Sequence, residues 1–127
     1  MQKCHLTITT ETDGREERFS RDGELYLSPL KTTVCYREEN AQVSLSLEDN
    51  RATVERKGDY EMSLSLFEGE TTEGSLGIAG ANGRISTRTH RVAYSTTKEA
   101  LLLSLHYDVL FGTEIQRMRL RLYARVK

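Results

Sequence analysis

The sequence has little of what marks several classes of protein, because it contains two cysteines, one proline and no tryptophan among its 127 residues. Cys4 and Cys35 are too few for a framework of disulfide bonds. Neither belongs to a CxxC pair or to a Cys/His pair with the spacing of zinc ligands. We therefore interpret both as free thiols on or between strands, and nothing in the sequence indicates a cofactor.

The sequence also lacks a long apolar run. No stretch approaches the roughly 18 apolar residues of a membrane-spanning helix. The first residues, Met1 to His5, lead directly into alternating residues and lack the basic and then apolar regions of a secretory signal. We therefore expect a cytoplasmic protein with no membrane partner.

No excess of charge of one sign is present. The chain has 18 basic and 19 acidic residues and a formal net charge of −1. No overall field therefore draws the protein to nucleic acid or to an anionic membrane. A charged partner would have to be met by a local surface, and a nucleic-acid partner is disfavoured.

What the sequence does contain is a series of short alternating runs separated by turn residues. Its length suits a single domain spanning residues 1–127. From Gln42 to Glu48, apolar residues alternate with polar ones in strict period two, which is typical of a strand with one buried face. The pairs Asp13-Gly14 and Asn82-Gly83 favour tight hairpin turns. We interpret the glycine-spaced stretch from Gly74 to Gly83 as a flexible hairpin loop.

One segment has two interpretations. Thr96 and Glu99 have capping-box spacing before an apolar run, which predicts a helix over Thr96 to Leu103. The alternation that continues from Leu101 to Val109 predicts a strand instead. We favour the strand, so the predicted fold has little helix.

Sequential antiparallel strands with short connections would leave two long edges exposed in an open sheet, and closing the sheet removes them. The sequence therefore predicts an all-β fold, a small closed or nearly closed antiparallel barrel of about eight or more strands. A barrel of about this size is either filled by side chains or holds one small ligand.

Several features in the middle of the chain carry a family resemblance. They are Asp13-Gly14 followed by charged residues, Tyr36-Arg37-Glu38, Arg56-Lys57-Gly58 with Met62, Phe67-Glu68-Gly69, Thr87, and Leu105-His106-Tyr107. In this order the chain resembles the YwiB-like family of uncharacterised bacterial proteins, which have a calycin-like β-barrel. The resemblance implies a lipocalin-like barrel and carries no established activity.

The chain departs from this family and from classical lipid carriers. It has Asn82-Gly83 where relatives tend to have an aromatic residue before glycine. Without tryptophan it cannot carry the Gly-x-Trp signature of true lipocalins. The connection from Glu11 to Arg15 is too short for the two-helix lid of fatty-acid-binding proteins. A classical lipid carrier is therefore disfavoured.

The phase of two strands indicates charged residues inside the barrel. Glu38 shares a strand face with Val34 and Tyr36, and Arg56 shares one with Val54. If the apolar members point inward, both charged residues do as well. An unpaired buried charge is costly, so the two either form a structural ion pair or hold a polar ligand.

Tyr107 and Thr87 would add hydroxyl groups to the same interior, where they could bind a ligand or satisfy buried neighbours. Such an interior suits a small, partly polar molecule with an anionic group for Arg56. The candidate ligand-binding residues are Arg56, Glu38, Tyr36, Tyr107 and Thr87.

The last strand presents a row of arginines. They are Arg117, Arg119, Arg121 and Arg125. The row could meet phosphate groups, with Tyr123 available for stacking. We favour a solvated face paired to acids, because the last strand of a closed barrel usually adjoins the first, and Glu11, Glu16 and Glu17 lie near that strand in sequence.

No catalytic or metal-binding pattern is present. His5, His90 and His106 lie on separate segments without clustered ligands, and no Gly-x-Ser-x-Gly motif occurs. The leading hypothesis is a barrel that binds a small molecule in its mouth. The alternative is a structural or interaction module with a filled barrel that meets a protein partner or self-associates. An enzyme comes third.

Overall fold

The computed structural model describes residues 1–127 and contains ten strands and no helix. The strands are β1 (Gln2–Thr12), β2 (Arg15–Tyr26), β3 (Thr32–Glu38), β4 (Ala41–Glu48), β5 (Arg51–Gly58), β6 (Tyr60–Phe67), β7 (Thr71–Ile78), β8 (Ala81–Thr96), β9 (Ala100–Phe111) and β10 (Glu114–Val126). No helix is long and apolar enough to cross a membrane.

The strands form a closed antiparallel barrel. Each strand pairs with the next along the chain, and β10 returns to pair with β1. Ile8 lies opposite Leu122 at this closing pair, and both side chains are buried. The predicted all-β barrel is therefore confirmed.

The segment with two interpretations is strand. Thr96 ends β8, and β9 begins at Ala100 and continues to Phe111. The Thr97 hydroxyl accepts the Glu99 N–H at 3.2 Å, which stabilises the turn between the two strands. The residues that resemble a helix cap therefore form a hairpin turn, as the alternating pattern predicts.

The prediction of a flexible loop from Gly74 to Gly83 is wrong. Gly74 and Gly77 lie within β7 and Gly83 lies within β8, so only the short turn around Gly80 connects the two strands. A Cβ atom at Gly74 would collide with the Ser63 carbonyl oxygen. Glycine here permits close approach of two strands, which a sequence cannot distinguish from glycine in a loop.

Alternate residues of every strand point inward, and together they form the core of the barrel. Inward side chains form one cluster of 22 buried residues, and leucine supplies most of its largest members. Leu6, Leu45 and Leu105 are almost completely buried. Burial of each such side chain contributes about 1.5–3 kcal/mol, so the packed interior is the main source of stability.

The wall is incompletely hydrogen-bonded between β2 and β3. Their ladder covers only Gly23 to Tyr26 on β2, whereas Arg15–Asp22 pairs with β1 alone. Beyond the ladder, Arg21 Nη1 donates to the Arg37 carbonyl oxygen at 3.1 Å. We call the gap between Arg15–Asp22 and the end of β3 the seam. Its charged edge residues oppose pairing with another chain.

The seam opens toward one end of the barrel, which we call the hairpin end. It carries the tight turns that join β1 to β2, β3 to β4, β5 to β6, β7 to β8 and β9 to β10. Glu38, Arg56 and Tyr60 all lie beside these turns. The fold therefore collects the inward charged residues at this end.

Substitution of Gly23 tests the close approach of β1, β2 and β3. A Cβ atom there would overlap the Cys35 carbonyl oxygen and lie 2.7 Å from Leu6 Cδ1. Gly23→Ala should lower the free energy of unfolding by about 1–3 kcal/mol, measured by urea denaturation. The control is Gly83→Ala, since a Cβ atom at Gly83 would have no other atom within 4 Å. Equal losses in the two variants would contradict this interpretation.

Candidate ligand site at the hairpin end

Arg56 is clamped by groups from the turn that follows β5. Its side chain points inward, and the residue is 8% exposed. Nη2 lies 2.7 Å from Asp59 Oδ1, Nη1 donates to the Tyr60 carbonyl oxygen at 2.8 Å, and Nε lies 3.4 Å from Glu38 Oε2. The guanidinium carbon lies 3.6 Å from the centroid of the Tyr60 ring. The predicted inward pair of Arg56 and Glu38 is present, and the turn adds two further partners.

Arg56 and Asp59 both remain charged in this arrangement. Burial alone would lower the pKa of Arg56, but its hydrogen bond to Asp59 and the charges around it raise that pKa. The same hydrogen bond holds the pKa of the Asp59 carboxyl below its usual range. A guanidinium has more N–H donors than these contacts use. Arg56 can therefore hold the clamp and still donate to another acceptor.

Tyr36 and Tyr107 bring hydroxyl groups to the same end. They are 6% and 7% exposed, and neither hydroxyl hydrogen-bonds within the protein or is sealed from solvent. Burial raises the pKa of Tyr107 to about 12, helped by Tyr60. Burial, and then Glu38 and Tyr107, raise the pKa of Tyr36. Both hydroxyls therefore stay protonated and are free to donate.

Thr87 stands apart from this cluster. It is fully buried, and its hydroxyl lies 3.0 Å from that of Thr72. Thr72 in turn donates to the Ser65 carbonyl oxygen. Thr87 therefore belongs to a chain of hydrogen bonds that links β8 to β7 and β7 to β6. Of the residues predicted from the sequence, the structure groups Arg56, Glu38, Tyr36 and Tyr107.

Arg21 joins this end of the barrel, although the sequence pattern does not predict it. On β2, the less exposed residues Phe19, Arg21, Gly23 and Leu25 share the inward face. The Arg21 guanidinium lies over the Phe19 ring at 4.7 Å, yet it forms no ion pair. Its Nε is buried without a hydrogen-bond partner. Nη1 has the Arg37 carbonyl oxygen as its acceptor, but the buried Nε–H has none. A bound anion would offset the cost of leaving this donor unpaired.

The largest of the main cavities adjoins the seam. Its volume is about 500 Å³. It is lined by Lys3, Cys4, Asp22, Gly23, Glu24, Cys35, Tyr36, Arg37, Gln42 and Lys127. This volume is within the usual range for a small-molecule site. Most of its lining residues point outward, and Arg21, Arg56 and Tyr107 are not among them. The cavity is therefore a depression of the outer surface that is separate from the inward polar cluster.

The histidines do not form a metal site. No group of three or more His, Cys, Asp or Glu side chains is placed to hold a metal ion. His5 Nδ1 lies 3.2 Å from Asp22 and His90 Nε2 lies 2.8 Å from Asp108, on separate parts of the outer surface. These pairs are local surface contacts.

Comparison with known proteins identifies the family. Residues 3–122 match the model of a domain of unknown function, DUF1934. The chain belongs to the DUF1934 family. No curated protein matches it.

The solved structures include a close match in fold. The YwiB protein from Bacillus subtilis superimposes on this DUF1934 protein with a TM-score of 0.86 and is 18% identical in sequence. The match covers 99% of this chain and 92% of YwiB. The resemblance to the YwiB-like family is therefore confirmed, and at this identity it establishes the fold alone.

Removal of the Arg56 clamp should destabilise the DUF1934 barrel. Arg56→Met leaves Glu38 and Asp59 without their cation, and we expect the free energy of unfolding to fall by about 1–3 kcal/mol. The control is Arg51→Met, which removes an exposed arginine that pairs with Glu48 and lies over Phe67. Its loss should stay below about 1 kcal/mol. A loss as large as that of Arg56→Met would argue against a special role for the clamp.

The buried tyrosines predict alkaline sensitivity. Between pH 10 and pH 12 the unfolded chain releases the Tyr107 proton while the folded protein retains it, so stability falls as pH rises. Tyr107→Phe should remove about 2 kcal/mol of this fall, measured from urea midpoints across that range. Tyr26→Phe changes an exposed hydroxyl and should leave the curve unchanged. Parallel curves for parent and Tyr107→Phe would refute the prediction.

Proposed function

We propose that this protein binds a small, partly polar molecule with an anionic group at the hairpin end of the barrel, beside the seam. The observation that carries the proposal is the Arg21 guanidinium, which faces inward with no carboxylate partner and a buried, unpartnered Nε. A carboxylate or phosphate is the acceptor that guanidinium geometry suits best. Binding would supply the missing hydrogen bond.

The surroundings of Arg21 support a ligand of mixed character. Tyr36 is the Cα partner of Gly23, two residues from Arg21 on the same strand face, and its hydroxyl is free to donate. Phe19, Met62 and Met118 are partly buried against the core near the same end. The proposed ligand therefore combines an anionic group with a modest apolar body, and Arg56, Glu38 and Tyr107 complete the polar shell.

The alternative proposal is a structural or interaction module. Its support is the packed interior together with large exposed apolar side chains on the outer surface, such as Leu102 and Ile115. Strand addition at Gly74 to Asn82 does not support it, because residues 75–78 of β7 pair with both β6 and β8. In either proposal we place the protein in the bacterial cytoplasm, following the sequence and the bacterial source of YwiB.

Native mass spectrometry of protein purified gently from its source tests for a bound molecule. A thermal-shift screen with small carboxylates and phosphate monoesters follows. We expect a co-purifying mass or an upward shift in Tm, since a ligand at 100 times its Kd adds about 2.7 kcal/mol of stability. No bound mass and no shift would favour the interaction module.

Arg21→Met tests which residue meets the anion. The variant should fold, and it should lose the stabilisation given by whichever carboxylate or phosphate monoester stabilises the parent. The matched control is Arg37→Met, which removes an exposed arginine side chain beside the seam but keeps the backbone carbonyl that Arg21 contacts. Arg37→Met should retain the Tm shift. A full shift in Arg21→Met would remove Arg21 from the site.

A further inference from the structure

The outer surface of β2, β1, β10, β9 and β8 carries a concentration of exposed arginines. We call it the arginine wall. Its members are Arg18, Arg88, Arg91, Arg117, Arg119, Arg121 and Arg125. The strands are neighbours in the barrel, so residues far apart in sequence share one surface. The net charge of −1 for the whole chain conceals this local basic surface.

The arginines of the wall are unpaired. None of them forms an ion pair, whereas Arg51, Arg56 and Arg84 elsewhere each do. Glu11 is the Cα partner of Arg119, yet the two side chains do not meet at ion-pair distance. From the sequence we expect these arginines to pair with acids across the closing strands. The structure closes these strands and leaves the guanidinium groups free.

Basic groups dominate the centre of the wall. His106 lies between Arg119 on β10 and Arg91 on β8. Its pKa is lowered by partial burial and then by Arg119, Arg91 and His90, with Glu11 acting in the opposite direction. The nearby Asp108 is engaged by His90. Glu11 and its cross-strand partner Glu16 also lie on this surface. The seven arginines outnumber these three acids.

The shape of the wall suits an extended anion. From Arg117 to Arg125 the β10 arginines span about 27 Å, since a strand rises about 3.4 Å per residue. A depression of about 190 Å³ lies at the centre, lined by Thr9, Glu11, His106, Arg119 and Arg121. Such a surface is longer than a single small anion and matches a chain of regularly spaced anionic groups.

We propose that the arginine wall binds single-stranded nucleic acid through its phosphate backbone. Guanidinium groups suit phosphate because they can donate two parallel hydrogen bonds to it. Tyr123 lies in the same row, 39% exposed, with the exposed Leu102 as its partner on β9. An exposed aromatic ring beside phosphate-binding residues offers a stacking platform for an unpaired base.

The geometry favours a single strand over a duplex. The wall is the convex exterior of a barrel, and its residues lie within regular strands, so no helix or ribbon projects to enter a groove of B-DNA. A single strand can follow a convex surface and turn its bases toward Tyr123. Contacts to the backbone predict little sequence preference.

Fluorescence anisotropy with labelled oligo-dT and oligo-rU of about 16 nucleotides tests the proposal. We expect saturable binding to the intact protein that weakens as salt rises, with a log–log slope of about −0.7 for each phosphate contacted. A duplex of equal length should bind more weakly. Absence of binding at about 50 mM salt, or tighter binding of the duplex, would overturn the proposal.

Paired variants locate the surface. Arg119→Gln with Arg121→Gln should weaken binding and reduce the magnitude of the salt slope by about 1.4. The control, Arg51→Gln with Lys57→Gln, removes the same charge from two exposed residues of β5, on the opposite side of the barrel, and should preserve the slope. Tyr123→Ala should weaken binding about fivefold or more with the slope unchanged. Equal losses in the paired variant and its control would show that binding does not use the wall.

Discussion

Closure of the sheet by β1 and β10 is the constraint on which the rest of the molecule depends. Once the first and last strands pair, every strand has two neighbours, although the β2–β3 and β6–β7 ladders are partial. Alternate side chains must then point into the barrel or away from it. The leucine-rich core, the polar cluster at the hairpin end and the arginine wall all result from this division. A shift of one residue in the register between β1 and β10 would exchange the inner and outer faces of one of these strands.

Charged residues lie on both the inner and the outer face of the barrel. The inner and outer arginines differ in their partners. Arg56 faces inward, and a tight turn returns Asp59 and Tyr60 to meet its guanidinium. Arg21 also faces inward, but the ladder that would bring β3 alongside it ends two residues away. On the outer face the arginines remain solvated, so leaving them unpaired costs little. The arginine whose Nε lacks an acceptor therefore lies beside the incomplete ladder between β2 and β3.

The sequence predicts the all-β barrel and the inward phase of Glu38 and Arg56, because strictly alternating neighbours define the faces of β3 and β5. The sequence does not predict that Arg21 points inward. Arg15–Asp22 contains a single apolar residue, Phe19, which is too few to show which face of the strand lies inside the barrel. The sequence also does not predict that Gly74 lies within a strand. Glycine is required there because a Cβ atom would overlap the backbone of another strand, β6. Whether Glu11 meets Arg119 depends on side-chain conformations that register alone does not determine.

Closure also brings the two ends of the chain together. The Lys127 N–H donates to the Lys3 carbonyl oxygen at 3.0 Å, and Cys4 lies opposite Val126. A short linker could therefore join the termini without disturbing any strand pair, and the chain could be reopened at the exposed connection around Leu30, which is 86% exposed. In such a circular permutant the closing pair becomes an ordinary hairpin, and β2 and β3, on either side of the seam, become the terminal strands.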